Sequence, residues 1–344
     1  MKNKCVKAIS LIFLFFFLNI SLVYSVDYTW NGGNGNWSNG GNWNPLGVPN
    51  TAADTATIAN GGNVNMDVAG LTIGALTIES TTSSLSLTAG NIIIDDSDAA
   101  YNGDVIIGDA ANNNSLILNG NNVECDGNFT VNATGIIDAT GGGTISFTKS
   151  GDQTFTTGSQ TYDGVSKSGT GTLTISEAVD IGGTLTVGAG TIVDLQANNF
   201  TIVTLVNNGV LQIEGSQGTQ SITTMDTDSG EVEYDGAAGG TVGIGSFYDL
   251  QINSGGQTFN LNTNTSVGRD VLLYAGTLGT NGFNLDVERH VDGSAGGTGN
   301  LTASGTEQIN VGGDFLPDGF TAGSSTVIFD TATNGSVNSY TFNE

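Results

Sequence analysis

Apolar side chains in this chain recur at every second position and almost nowhere at a helical spacing. Leu71-Thr72-Ile73, Leu76-Thr77-Ile78, Leu85-Ser86-Leu87, Leu116-Ile117-Leu118, Leu173-Thr174-Ile175 and Leu185-Thr186-Val187 are the clearest runs. Alternation with Thr or Ser is the pattern of a strand with one buried face. The runs are broken by Gly61-Gly62, Asn112-Asn113-Asn114, Gly141-Gly142-Gly143 and Gly182-Gly183. With 53 Gly against 3 Pro, the turns are built from residues that tolerate positive φ. No window carries a capped amphipathic helix, so the reading is all-β.

Short strands at this density form a sandwich, a barrel or a solenoid, and internal repetition discriminates between them. Thr144-Ile145-Ser146-Phe147 returns as Glu231-Val232-Glu233-Tyr234 and again as Thr326-Val327-Ile328-Phe329. Tyr162-Asp163 matches Tyr248-Asp249, and Ala189-Gly190-Thr191 matches Ala275-Gly276-Thr277. Each copy holds several uniform strands with few long loops. The expected fold is a right-handed parallel β-solenoid, with Leu, Ile and Val inside and Thr, Ser, Asp and Asn outside. The alternative is a row of tandem small β-sandwiches. Turn asparagines are expected to stack from coil to coil. The chain divides into a signal peptide over 1–25, a Trp-rich N-terminal cap over 26–62, and an irregular β-repeat region over 63–143. Repeat copies follow over 144–230 and 231–325, with a truncated third copy over 326–344. Residues 329–344 align without gaps on 234–249 and stop where the earlier copy enters its next strand. The expectation is a fragment of a longer chain.

The first 25 residues have the grammar of a secretory signal: Lys2, Lys4 and Lys7, then an apolar core around Leu14 to Leu18, then small Val23 and Ser25 before a cut at Val26. No second stretch approaches the length of a membrane span. Beyond the signal only Lys149, Lys167, Arg269 and Arg289 stand against 33 acids. Phosphate backbones need clustered cations, so nucleic acid is excluded as a partner. Cys125 is the one cysteine left, so no internal disulfide can form, and it reads as a buried, inert thiol.

The opening Tyr28-Thr29-Trp30-Asn31-Gly32-Gly33, with Asn36-Trp37-Ser38, Asn42-Trp43 and Val48-Pro49, joins a recurrent Gly-Thr-Leu-Thr-Val pattern, as at Gly183 to Val187. In these features the chain resembles bacterial extracellular β-strand-repeat proteins, the passenger regions of autotransporter and filamentous-haemagglutinin-type adhesins. The resemblance implies a secreted or cell-surface β-solenoid serving adhesion or structure, and it supplies no catalytic residues. The expected partners are glycans or other cell-surface proteins.

Three groups of residues are candidates for chemistry. Trp30, Trp37 and Trp43 are all the tryptophans of the chain and read either as a platform for sugar rings or as a cap over the first coil. Asp95, Asp96, Asp98 and Asp104 surround Asn102-Gly103 and offer oxygen ligands of the kind calcium takes. Glu288-Arg289-His290, with Asp292, is the one compact set with acid–base potential, which a polysaccharide-degrading β-helix would need. On a strand, Arg289 points away from its two neighbours, and the set reads as drift on an exposed strand. No cofactor other than calcium and no catalytic activity are expected, and a polysaccharide-binding or polysaccharide-degrading β-helix is the alternative.

Overall fold

The computed structural model describes residues 25–98, 101–109, 111–293, 298–329 and 336–337. The expected signal peptide and most of the third repeat copy lie outside the described residues. The chain forms a parallel β-solenoid of about 13 coils. Its pairing is that of a solenoid and not of tandem sandwiches: strand after strand pairs in parallel with the equivalent strand one coil on.

In the N-terminal half each coil contributes three short strands to three faces. The first face takes Asp54–Asn60, Ala75–Thr81, Val105–Ile107, Phe129–Val131 and Gln153–Thr156. The second takes Asn63–Met66, Ser84–Leu87, Asn114–Ile117 and Gly135–Asp138. The third takes Leu71–Ile73, Ile92–Ile94, Val123–Cys125 and Thr144–Phe147. In-register stacking places like residues over like. Leu71, Ile92, Val123, Ile145, Val165, Leu185 and Leu205 form one buried column, and Leu76, Val105, Phe129, Phe155 and Ile175 another. Such columns are the core: each coil alone cannot bury its inward face, and its neighbours do so.

From Thr161–Lys167 onward the second and third faces merge into single bent strands, Val179–Val187 and Phe200–Asn207. The bend falls at Gly182-Gly183, where the register shifts between Ile181 and Thr184. A Cβ on Gly183 would lie 1.9 Å from the Asp163 carbonyl oxygen, so only glycine lets the two coils touch there. Farther on, Thr265–Val267, Leu285–Val287, Gln308–Val311 and Thr326–Phe329 build a further parallel sheet. The repeated segments Thr144–Phe147, Glu231–Tyr234 and Thr326–Phe329 are all strands, and each belongs to a different sheet.

Coil is tied to coil by one recurring device. The residue just before a strand turns its side-chain oxygen onto the backbone N–H of its counterpart one coil later. Asn91 accepts from Asn122 at 2.8 Å, and Asn122 from Thr144 at 2.9 Å. Asn128 accepts from Thr154 at 2.8 Å, Asp152 from Thr172 at 2.9 Å, and Asn264 from Asn284 at 3.0 Å. These bonds satisfy corner N–H groups that the strand ladders do not reach. The expected asparagine stacking therefore takes the form of side chain to backbone, not amide to amide.

The first coil is closed differently. Trp43–Asn44 runs antiparallel along Val26–Trp30, whose other edge pairs in parallel with Asp54–Asn60. The antiparallel strand covers the outer edge of the first strand at Thr29 and Trp30, which shortens the edge that another sheet could extend.

Candidate functional site

The three tryptophans meet over the end of the core. Trp43 packs edge-on against Trp30 at 5.0 Å between ring centroids and against Trp37 at 4.7 Å. All three are buried. Their indole N–H groups donate to the carbonyls of Gly33, Pro49 and Trp37 for Trp30, Trp37 and Trp43 respectively, at 2.9, 3.1 and 2.9 Å. No indole face is open to a sugar ring, so a stacking platform is not what these residues form.

The four aspartates divide. Asp95 and Asp96 sit at the corner after Ile92–Ile94, and Asp126 occupies the same corner one coil on, because Ile94 pairs with Cys125. One oxygen from each of Asp95, Asp96 and Asp126 lies within 4.8 Å of the others. Asp126 escapes sequence reading because it is 31 positions from Asp95 and becomes its neighbour only through coil register. The Lys149 ammonium stands 2.6 Å from Asp96, and Thr148 donates to Asp126 at 2.6 Å. The charge that a cation would supply to Asp96 is already provided by lysine. Asp104 is part of the corner device, accepting the Asn128 N–H at 2.7 Å. Asp98 lies on the turn beyond, where its carbonyl accepts from Tyr101 at 3.0 Å, and it is not among the three carboxylates that converge.

The Glu288-Arg289-His290 set is likewise taken apart. Glu288 and Arg289 are exposed. His290 Nδ1 accepts the Asp314 N–H at 2.9 Å. That nitrogen is the acceptor in this arrangement, and the Asp314 carboxylate 3.4 Å from it takes a bond of its own from the Ser336 N–H. His290 belongs to a column of corner residues: Asp249 accepts from Asp270, Asp270 from His290, His290 from Asp314, and Asp314 from Ser336. Cys125 is fully buried with its Sγ against the Gly103 carbonyl at 3.3 Å, and burial pushes its thiol far above the ordinary range.

Sequence reading missed a place where burial and crowding raise two carboxyls well above their ordinary range. Glu231 and Asp249 are register neighbours on adjacent strands, and Arg269 follows one coil later. Arg269 Nε donates to Asp249 at 2.8 Å, its second nitrogen also pairs with Asp249, and its guanidinium lies 4.9 Å from the centre of the Tyr248 ring. Burial, with Glu233 and Asp249 nearby, pushes the Glu231 carboxyl up to about 7. Burial and the acids Glu233, Asp194 and Glu214 push Asp235 up to about 6.

Both carboxyls bind protons more tightly folded than unfolded. The stability they contribute is present below the ordinary carboxyl range and is lost as pH rises through about 6 to 7. Glu231→Gln removes one of these losses. The variant is expected to melt a few degrees above the parent at pH 8 and together with it at pH 4, as followed by circular dichroism.

Comparison with protein families, with curated proteins and with solved structures finds no match to this chain. No helix among the described residues is long and apolar enough to cross a membrane.

Proposed function

We propose that this chain is a secreted or cell-surface scaffold that serves structure or adhesion and performs no chemistry of its own. One observation carries the reading. The side chains with the most chemical potential, among them Asp104, Asp270, His290 and Asp314, have acceptor atoms engaged in fastening one coil to the next. In each, one acceptor atom is committed to a backbone bond that the fold itself needs. What remains is a long parallel stack whose outer positions carry Thr, Ser, Asn and Asp, suited to presenting an extended polar surface. The export grammar of residues 1–25, the acidity, and the likeness to autotransporter and filamentous-haemagglutinin-type passengers support a place outside the cell. Glycans or other cell-surface proteins are the partners that fit.

Brief proteinase K treatment of intact producing cells tests this. Peptides from beyond residue 25 should be released, or found in the medium, while a cytosolic marker stays whole. Protection of the chain until the cells are lysed would overturn the reading.

A second reading has one observation in its favour. Glu231, with its carboxyl pushed up to about 7, adjoins the arginine-bound Asp249, an arrangement in which one carboxyl could donate a proton. Reducing-sugar release from a polysaccharide, lost in Glu231→Gln, would establish the polysaccharide-degrading alternative.

A further inference from the structure

The corner that holds Glu231 and Asp249 is also the side of a trough that runs along the solenoid axis, across the strands. Its volume is about 500 Å³, and its lining includes Ile192, Val210, Glu231, Tyr248, Asp249 and Arg269. These residues come from five successive coils. At about 4.8 Å per coil the trough extends for roughly 19 Å.

Its lining changes character from place to place. One wall is a single outward-facing column set by register: Ile192 pairs with Val210, Val210 with Glu231, and Glu231 with Asp249. That wall is apolar over two coils and carboxylate over the next two. The row one residue earlier has no side chain at Gly209 and Gly230. A Cβ at Gly230 would meet Asn207 at 2.4 Å, so the backbone itself forms the floor there. At the next coil the same row carries Tyr248, whose ring closes the trough and is held by the Arg269 guanidinium. Exposed Asn208 stands at the opposite end of the polar lining.

We infer that this trough binds a neutral, linear oligosaccharide, its rings laid along the solenoid axis. The apolar wall and the bare backbone floor suit the C–H faces of sugar rings. Tyr248 offers an aromatic end wall, and Glu231, Arg269 and Asn208 offer planar groups of the kind that engage vicinal hydroxyls, while buried Asp249 holds the Arg269 guanidinium in place. Charge selects against acidic glycans. Glu231, Asp249 and Asp270 line or adjoin the trough, and the chain as a whole carries a formal charge of −26. The inference rests on the adhesive reading and gives it a place on the molecule.

Purified protein comprising residues 26–344 is titrated by calorimetry with cellohexaose, mannohexaose and chitohexaose. Polygalacturonate and hexalysine are run beside them. At least one neutral hexaose is expected to bind. Tyr248→Ala should weaken it by about tenfold, Tyr248→Phe should retain it, and Ile192→Asp should weaken it through the apolar wall. Circular dichroism melting of each variant shows that the coils are intact, and Tyr248→Phe with Ile192→Asp keeps the test open if Tyr248→Ala melts early. Silence from all three neutral sugars overturns the inference. So does neutral binding indifferent to both Tyr248→Ala and Ile192→Asp, or binding of polygalacturonate or hexalysine alone. None of these results touches the protease experiment on cells, so the trough can fail while the scaffold stands, or the reverse.

Discussion

Trp43→Ala should cost about 3–5 kcal/mol, the usual loss for emptying a buried tryptophan site, and the loss should be felt at one end of the molecule. Trp43 touches Trp30, Trp37 and Tyr28, and its indole N–H holds the Trp37 carbonyl. Removing it takes away the contact on which the other two indoles lean. It also loosens the antiparallel strand that covers the outer edge of Val26–Trp30 at Thr29 and Trp30. In a stack of coils stability is close to a sum of coil and interface terms, so an end defect opens neighbouring coils first. Hydrogen exchange resolved along the chain should rise in Val26–Trp30 and Asp54–Asn60 while Gly171–Ile175 stays protected. A uniform rise over the whole chain would show that cap and body melt as one unit, and the cap would lose its separate standing.

How far this architecture could be read from sequence depends on which interactions are local. Alternation is local, and it correctly places Leu71, Leu85, Leu116, Leu173 and Leu185 inside and Thr72, Ser86, Thr174 and Thr186 on the wetter side. The corner device is only half local. Asn91, Asn122 and Asn128 each precede a strand, a position visible in sequence, but their acceptors' partners lie 31, 22 and 26 residues on. Those unequal intervals are the reason for the rest of what was hidden. Coils vary in length because turns such as the one after Asp95 take in extra residues, so no fixed spacing predicts which side chains stack. Asp126 beside Asp95, and Glu231 beside Asp249, follow at once when the pairing is known and not before. The tryptophans needed another kind of information. Three indoles close together can make an exposed platform or, as large aromatics more usually do, a cover over an open core, and the distinction lies in their burial and in where their N–H groups point.

Lys167 shows what the interior tolerates when every bond is made. It stands at an inward position, in the column that runs Ile94, Cys125, Phe147, Lys167 and Val187, and it is fully buried. Its Nζ donates to the Lys149 carbonyl at 2.7 Å, the Gly151 carbonyl at 3.3 Å and Gln153 Oε1 at 2.7 Å. Burial draws its ammonium below the usual lysine range, and the three acceptors are what keep a charge there at all. Methionine has nearly the same volume and no donor. Were the charge and its acceptors replaced together, desolvation arguments would make the exchange close to neutral. Lys167→Met removes only one side. Two backbone carbonyls and the Gln153 amide oxygen stay where they are, with Gln153 itself held by its bonds to the Cys125 and Gly127 carbonyls. The expected result of a urea melt is therefore a loss of about 3–5 kcal/mol, against less than about 1.5 kcal/mol for the size-matched apolar control Leu185→Met in the neighbouring column. A variant as stable as the parent would mean that relief from burying the ammonium outweighs three orphaned acceptors, and that the lysine is carried by the fold instead of fastening it.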